Sequence, residues 1–598
     1  MTSNDVIKKL KANNLLRVID SAVDIDLEIA HIAYIEVKKE SSKSLLFTNV
    51  VSKRLNKKFE TPVLINLFSS FEVTNLFFKK HPDDIAKEIE ELLHLSPPTS
   101  LGDKFGMLGK LFSMKDIFPK RLSKKGVSQE CELNSLYDIP VLKTWEEDAG
   151  AFITMGQVYT KSLDGKMNNL GMYRLQVHSD NTLGMHWQIH KDSASFFDDY
   201  KKAGIKMPVA IGLGGDPLLT WSATAPMPKG MFELLMYGFV TKKGARLVKC
   251  LSNDLYVPEE ADYIIEGFVD PSISKIEGPF GDHTGYYTLA DEYPVLDVTK
   301  ITSKKDPVYY ATVVGKPPLE DKYMGWPTER IFLPLLKTTA PELIDYKMPE
   351  NGVYHNLLLA SIDARYPGHA KQFMHTFWGV GQMSFVKHAI FVGNNAPKLD
   401  NYDELSTYIL NRISNKNILI SEGICDALDH ASEEPCISGK LGIDATGDEV
   451  ECIKDTISDE ELKSKLSIDG EFDIRQFKTD TYTPITTIFL ENTKDIKETF
   501  DKIKKVLSQH TRFVVFLDLK DKNMNEYMLV WRVVNNIDVS RDWFNDTLFG
   551  LDATSKIHGQ KRVWPKDTNC TKEVIQSLRK RNLIDVDDEF LEKFGIVE

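Results

Sequence analysis

The chain has 598 residues, enough for about four domains of ordinary size. Its 74 Lys and Arg against 87 Asp and Glu leave a formal charge of −13, so it lacks the basic field on which non-specific nucleic-acid binding rests. With 42% hydrophobic and 27% charged residues it is a globular sequence, not a fibre or a disordered scaffold. Six scattered cysteines (Cys131, Cys250, Cys425, Cys436, Cys452, Cys570) contain no CxxC spacing, which fits neither a zinc ribbon nor a disulfide framework and points to reduced thiols. The N-terminus MTSNDVIKKLKANNLL has no apolar signal core, and no run approaches the 18 apolar residues of a membrane span. A cytoplasmic protein is expected.

In chain order, residues 1–120 predict an N-terminal α/β domain. VIKKLKANNLLRVI has helical apolar spacing, whereas AHIAYIEVKK and TPVLINLF read as strands. A Lys-rich stretch at 104–126 reads as a solvated linker. Residues 121–325 change to short β-branched runs with dense Gly and Pro, GMYRLQVHS and MPVAIGLGG among them, and predict a β-rich barrel or sheet whose loops carry chemistry. Residues 326–484, with AIFVG and NILIS as buried strands, predict a C-terminal α/β domain. An extra α/β lobe follows over 485–598: TTIFLE, the helix DIKETFDKIKKVLSQ, then RFVVFLDL and YMLVWRVV as strands. GIDATGD at 442–448 and GLDATSK at 550–556 look alike, but two copies do not make a repeat array, and they read as similar turns. The charged tail 566–598 reads as a mobile helical end.

Three stretches concentrate polar residues where ordinary strands would not. NNLGMYRLQVHSDNTLGMHWQIHKD (168–192) gathers amides, an Arg, His residues and carboxylates of the kind that hold Mn²⁺ or Mg²⁺. In GGDPLLTWSATAPMPKGMFE (214–233), Gly214 and Gly215 allow close backbone approach, and the Ser/Ala/Thr run offers N–H groups to an anion. It is neither a Walker loop nor GxGxxG. In IEGPFGDHTGYY (276–287), a Gly-Pro turn can bring Glu277 and Asp282 towards one pocket, where repulsion and burial would hold one carboxyl protonated near neutral pH. Taken alone, the first reads rather as structural hydrogen bonding and the second as a tight turn, while the third is equally compatible with an exposed acidic turn.

Taken together, NLGMYRLQV, the Trp-x-x-His after it, the GGDP turn and EGPFGDHTGYY resemble the UbiD-type decarboxylases, which use prenylated flavin mononucleotide. TVVGKPPLED (312–321), TERIFLPLL (328–336), WGVGQMSFVKH (378–388) and ALDHAS (427–432) extend the resemblance, in order, over about residues 15–565. The MHWQIHKD segment, the length and the extended C-terminal lobe resemble the branch assigned to menaquinone biosynthesis by the futalosine route. The resemblance implies an N-terminal α/β domain, a split β-barrel that binds the flavin, and a C-terminal α/β domain.

It also implies a site. The catalytic trio maps onto Arg174, Glu277 and Asp282, with Asp282 as the general acid in a place where some members carry Glu. Flavin contacts carry over to Met172, Tyr173, Arg174, His186, Trp187, Gln188, Lys191 and Lys387. Mn²⁺ would be held by Asn169, His190 and Glu233, the last preferred over Glu266, with K⁺ beside Ser222, Ala223 and Glu233. His178 and His283 read as structural histidines. The implied activity is decarboxylation of an aromatic acid, reversible under high CO₂. The expected substrate is a 1,4-dihydroxy-6-naphthoate, free or prenylated, with a 3-polyprenyl-4-hydroxybenzoate as the runner-up. A flavin prenyltransferase would supply the cofactor, and a homo-oligomer, dimer or hexamer, is expected. A prenylated substrate would require peripheral membrane contact, for which only the amphipathic segment 5–19 offers itself. A non-catalytic flavin-binding protein and a metal-dependent hydrolase are the contrasting classes.

Overall fold

The computed structural model describes residues 1–94, 115–188, 192–450, 455–491, 495–546, 548–557 and 561–597. They form two units, Met1–Phe332 with Cys570–Asp585, and Leu333–Asn569 with Val586–Glu598. Among the described residues no helix is long and apolar enough to cross a membrane.

The first unit opens with the helix Ser3–Ala12, started by a capping box in which Thr2 and Asp5 satisfy each other's backbone N–H. A four-stranded sheet follows, built from Leu16–Ile19, Ser44–Phe47, Val63–Ile65 and, from far along the chain, Tyr309–Ala311. Residues 30–39, expected as a strand, belong instead to the helix Glu28–Glu36 and the turn after it. Every residue of that helix is buried, so it has no polar face and its sequence carries no 3.6-residue signal.

Beyond it stands a closed barrel of six antiparallel strands. In spatial order these are Thr182–Met185, Asn168–Val177, Phe152–Lys161, Met207–Leu213, Tyr263–Glu277 and Asp291–Ser303, the last pairing back onto the first. Closure pairs each of the six on both sides, and a seventh short strand, Cys131–Leu133, extends from the end of Asp291–Ser303. Met207–Leu213 is buried at every position. Its apolar surroundings include Tyr159, Leu170, Leu219, Leu234 and Ile264, so the short helices Pro217–Ser222 and Leu234–Thr241 cover the barrel wall. This mixed α/β architecture around a barrel is the expected fold class.

The second unit holds two five-stranded sheets. The first runs, in spatial order, Leu343–Lys347, Leu357–Ile362, His388–Val392, Ile437–Ala445, Ile418–Ile424; the second runs Phe472–Phe477, Ile485–Leu490, Phe513–Asp518, Phe549–Asp552, Trp543–Asn545. Both show the same succession of pairings, antiparallel, parallel, parallel, antiparallel. GIDATGD and GLDATSK, expected as similar turns, instead each end the fourth strand of their sheet. The expected strand YMLVWRVV is part of the helix Glu526–Asn536, whose start is fixed by the Asn525 side chain accepting from Met528 N–H. The C-terminal residues are not a loose tail. Helix Lys572–Lys580 lies in the first unit, where Arg581 pairs with Glu28 at 3.0 Å and Arg17 donates to the Leu583 carbonyl at 2.8 Å.

Candidate active site

Arg174 sits on the barrel strand Asn168–Val177 at a register shift, between Tyr173 and Leu175, against Phe152–Lys161. An irregularity of this kind breaks strict alternation and re-aims a side chain. The guanidinium forks onto Glu277: Nε donates to Oε1 at 3.0 Å and Nη2 to Oε2 at 3.1 Å. Its Nη1 donates to Asp282 Oδ2 and, at 3.1 Å, to Thr288 Oγ1. The Phe280 ring lies 4.8 Å from Cζ. His186 Nδ1 is 2.9 Å from Glu277 Oε2, and its ring packs on Tyr293 with centroids 4.4 Å apart. Glu277 is 0% exposed, Asp282 8% and Arg174 9%, so this network is shielded from water.

Those contacts decide the charges. Burial pushes Glu277 up, but the His186 hydrogen bond and Arg174 outweigh it and hold the carboxyl below its ordinary range. Burial pushes Asp282 up as well, and Arg174 with His283 holds it well below the usual carboxylate range. The expected arrangement, one carboxyl kept neutral by its neighbour, does not occur here. The guanidinium stands between the two acids and both are ionised. Whatever draws Arg174 away from Asp282 leaves burial to act and raises that carboxyl. His283, expected to be structural, bears directly on the acid: its backbone N–H donates to Asp282 Oδ1 at 2.7 Å and its Nδ1 lies 3.0 Å from the same oxygen. His178 Nε2, by contrast, is buried without a partner.

Two residues that sequence reasoning passed over hold the turn between the acids. Asp148 Oδ1 accepts from Gly281 N–H at 2.8 Å, while Oδ2 accepts from Thr144 Oγ1 at 2.6 Å, Trp145 N–H at 2.9 Å and Thr144 N–H at 3.2 Å. Burial pushes Asp148 up to about 6 against these donors. Gln176 Oε1 accepts from Gly278 N–H at 2.9 Å, at a glycine whose φ of +89° few other residues adopt. Asp148 follows two other acids in TWEED, and nothing local distinguishes it.

A second cluster lies on the same strand. Asn169 Nδ2 donates to Glu233 Oε1 at 3.0 Å, Leu170 N–H to Oε2 at 2.7 Å, and Ser193 Oγ to Asn169 Oδ1 at 2.7 Å. Burial pushes Glu233 up to about 7, with Asp192 adding to the rise. Glu266 is elsewhere engaged, accepting from Leu251 N–H, Ser252 N–H and Ser252 Oγ. Ser222 Oγ donates to the Leu218 carbonyl, and the Ala223 carbonyl accepts from Met172 N–H at 3.0 Å. No group of three His, Cys, Asp or Glu that could hold a metal is found among the described residues. His190 and Lys191 lie outside them. The residues present nevertheless suit a hard divalent cation, since an amide oxygen and a buried carboxylate beside a second acid are the donors such an ion takes.

Around this strand, Tyr173 is buried, Met172 and Gln188 are half-buried, and burial pushes the Tyr173 hydroxyl up to about 12. Trp187 is buried, and its Nε1–H has no partner among the described residues, an arrangement that costs about 1–3 kcal/mol unless an acceptor arrives; a flavin carbonyl or phosphate oxygen fits that need. Lys387 lies in the second unit, fully buried, with Nζ 2.6 Å from Asp429 Oδ1.

Residues 120–317 match the Rift-related domain of 3-octaprenyl-4-hydroxybenzoate carboxy-lyase, 7–93 its N-terminal domain and 322–445 its C-terminal domain. The chain belongs to the UbiD family. Residues beyond 445 lie outside all three matches. Its UbiD relatives include an uncharacterized protein of Helicobacter pylori strain J99, 50% identical over 606 residues and covering 99% of this chain and 98% of that one. An uncharacterized protein of Aquifex aeolicus is 39% identical, covering 74% and 91%. Among solved structures, the UbiD-class enzyme HmfF of Pelotomaculum thermopropionicum in complex with FMN is similar at TM-score 0.63, with 23% identity and coverage of 75% of this chain and 94% of that one. Vanillic acid decarboxylase of Sedimentibacter hydroxybenzoicus in its closed form gives 0.65, 21%, 78% and 98%. The fold is that of UbiD-class decarboxylases.

Proposed function

We propose that this UbiD-family protein is a non-oxidative carboxy-lyase that removes CO₂ from an aromatic hydroxy acid with prenylated FMN as cofactor. The supporting observation is the buried Arg174 fork, shared between Glu277 and Asp282. It joins a carboxylate-binding cation to a potential proton donor. When bound, the modified flavin supplies the electron sink that an aryl carbanion lacks.

The chain's own residues do the rest. Arg174 offers Nη1 to the substrate carboxylate, which competes with Asp282 for it. Released from the guanidinium in a buried setting, Asp282 takes up a proton from the solvent as substrate binds. The bond between ring carbon and carboxylate breaks, CO₂ leaves, and the electron pair stays on the organic fragment. Asp282 then gives its proton to the vacated carbon as a C–H bond forms, and its carboxylate returns to Arg174. Glu277 keeps the guanidinium aimed throughout, and His186 keeps Glu277 in place. Asn169, Glu233 and His190 would hold Mn²⁺, with K⁺ by Ser222, Ala223 and Glu233. Met172, Tyr173, His186, Trp187, Gln188, Lys191 and Lys387 would contact the flavin.

The substrate we propose is 1,4-dihydroxy-6-naphthoate, free or prenylated, in menaquinone biosynthesis. The support is the MHWQIHKD segment, the long C-terminal lobe and the short acid Asp282, which suits hydroxylated rings. The description of the matching family favours a second reading, a 3-polyprenyl-4-hydroxybenzoate. Co-expression with a flavin prenyltransferase, mass spectrometry of the released cofactor, metal analysis and CO₂ release from both acids test these readings together. A prenylated flavin mass with stoichiometric manganese and CO₂ from the naphthoate is expected. Activity that survives without flavin would instead make Asn169, His190 and Glu233 the core of a hydrolase. Bound flavin with no CO₂ from either acid would leave a binding protein.

A further inference from the structure

The two sheets of the second unit agree beyond their strand order. Gly442 stands opposite Ala389 and Leu419; Gly550 stands opposite Val514 and Phe544, in the corresponding strands. A Cβ on Gly442 would collide with Met374 of the helix His369–Trp378, and one on Gly550 with Phe500 of the equivalent helix Ile496–Leu507. After each glycine an Asp binds the next Thr but one. Asp444 Oδ1 accepts from Thr446 N–H at 3.1 Å and Oγ1 at 2.6 Å, and Asp552 Oδ1 from Thr554 N–H at 3.0 Å and Oγ1 at 2.6 Å. The helices Tyr402–Leu410 and Glu526–Asn536 start at Asn401 and Asn525, and each is followed at the same spacing by another Asn, Asn411 and Asn535.

The contacts between the two sheets' elements are reciprocal. Asn411 Oδ1 accepts from Tyr482 N–H at 2.8 Å, in the connection between the first two strands of the second sheet. Asn535 Oδ1 accepts from Asn356 Nδ2 at 2.8 Å, in the corresponding connection of the first sheet. From that same connection Asn351 Nδ2 donates to the Tyr527 carbonyl at 3.2 Å; from its counterpart Lys478 Nζ donates to the Asp403 carbonyl at 2.9 Å. Tyr527 and Asp403 are both the second residue after their helix-starting Asn. Contacts in which i meets j while the equivalent j meets i are the mark of an isologous, two-fold pairing.

The copies part where a buried ion pair lies. The first inserts Cys425–Cys436 between its last two strands in chain order, and that segment carries Asp429, the partner of Lys387. The second passes from Asn545 to Phe549 without such a segment, and Arg512 stands where the first has Lys387. The second copy instead braces the segment it lacks, with Arg541 Nη2 donating to the Ala431 carbonyl at 3.1 Å and His430 Nε2 3.3 Å from Asn536 Oδ1, and also the strand after it, where Asp538 Oδ1 accepts from Gly439 N–H at 3.0 Å.

We infer that residues 472–554 are a degenerate second copy of the fold at 343–446, kept as an in-built partner: it fills, within one chain, the isologous face that a single copy would offer to another chain. This does not depend on the decarboxylase reading.

Carbodiimide coupling of the native full-length chain tests it, because Lys478 and Asp403 form an ion pair at the reciprocal contact. The Lys478–Asp403 cross-linked peptide is expected in the one-chain band of a denaturing gel. Its recovery only from a two-chain band, or its absence from both while the ion pair of Lys463 with Asp473 at the start of the second copy does couple, overturns the inference. A full-length variant with Lys478→Glu and Asn351→Ala, folded by circular dichroism, is then weighed by light scattering. Loosening the internal pairing should expose the face and raise the mass about twofold over wild type. An unchanged mass in that folded variant would show that the face does not self-associate, which also overturns the inference.

Discussion

Arg174 carries two demands that pull against each other: it must bind a carboxylate from the substrate, and it must surrender one from Asp282. Its geometry allows both, since Nε and Nη2 belong to Glu277 and only Nη1 is shared with Asp282. Asp282→Asn keeps the shape and removes the proton. It should lower kcat by at least about a hundredfold, within the usual worth of a general acid, while the flavin content of purified protein stays unchanged. Normal turnover would end the assignment of Asp282. Arg174→Lys retains the charge but has no fork, so it can serve Glu277 or the substrate and not both. Single-turnover CO₂ release should collapse in that variant, and wild-type rates would take Arg174 out of the reaction. At this scale the motifs made the trio legible before any fold was known. The protonation of the trio was not legible, because it depends on a guanidinium contributed by a strand roughly a hundred residues away, and spacing within IEGPFGDHTGYY cannot show that.

The element that matters most is the turn from Glu277 to Asp282, which is fastened from outside itself by Asp148 and Gln176. Asp148 has its pKa raised to about 6 from the ordinary 3.8 by burial. The native state therefore holds this proton longer than the unfolded state between about pH 4 and 6, so this group's contribution to stability is fully present at the acid end and falls as pH rises through that window. Asp148→Asn cannot titrate. The stability of wild type minus that of the variant should fall by about 2 kcal/mol from pH 4 to 7, at about 1.4 kcal/mol per pKa unit. Denaturant unfolding at several pH values measures it, and a flat difference would mean that Asp148 ionises at its ordinary value. Elements were legible where one face meets water, as in the helix Ile496–Leu507, and illegible where burial or divergence erased the pattern. The helix Glu28–Glu36 is buried throughout, and YMLVWRVV is rich in β-branched residues, so both imitate strands. The duplication escaped notice for another reason. Equivalent positions are 125 residues apart at Ala389 and Val514 but 108 apart at Gly442 and Gly550, because only the first copy carries Cys425–Cys436 and its strand Ile418–Ile424 is longer than the matching Trp543–Asn545. No fixed period exists to detect.

At the scale of the molecule, the proposed ligands divide unequally between the two units. Asn169 and Glu233 belong to the first, as do all the described candidate flavin contacts except Lys387. A ligand stabilises what it binds, by RT ln(1 + [L]/Kd), or about 2.7 kcal/mol at a hundredfold excess over Kd. Two compact units allow two calorimetric transitions. Chelating manganese from the loaded protein should therefore lower one transition and leave the other in place, and adding manganese back should restore it. Prenylated FMN makes a different demand. Loading raises the second unit's transition only where Lys387 holds the cofactor, and Lys387→Met should then abolish that rise. Movement of the first transition alone on flavin loading would confine the cofactor to the barrel unit and leave the buried Lys387–Asp429 pair a structural feature of the second. Movement of both on chelation alone would place a metal ligand outside Asn169, His190 and Glu233 and break the proposed metal site.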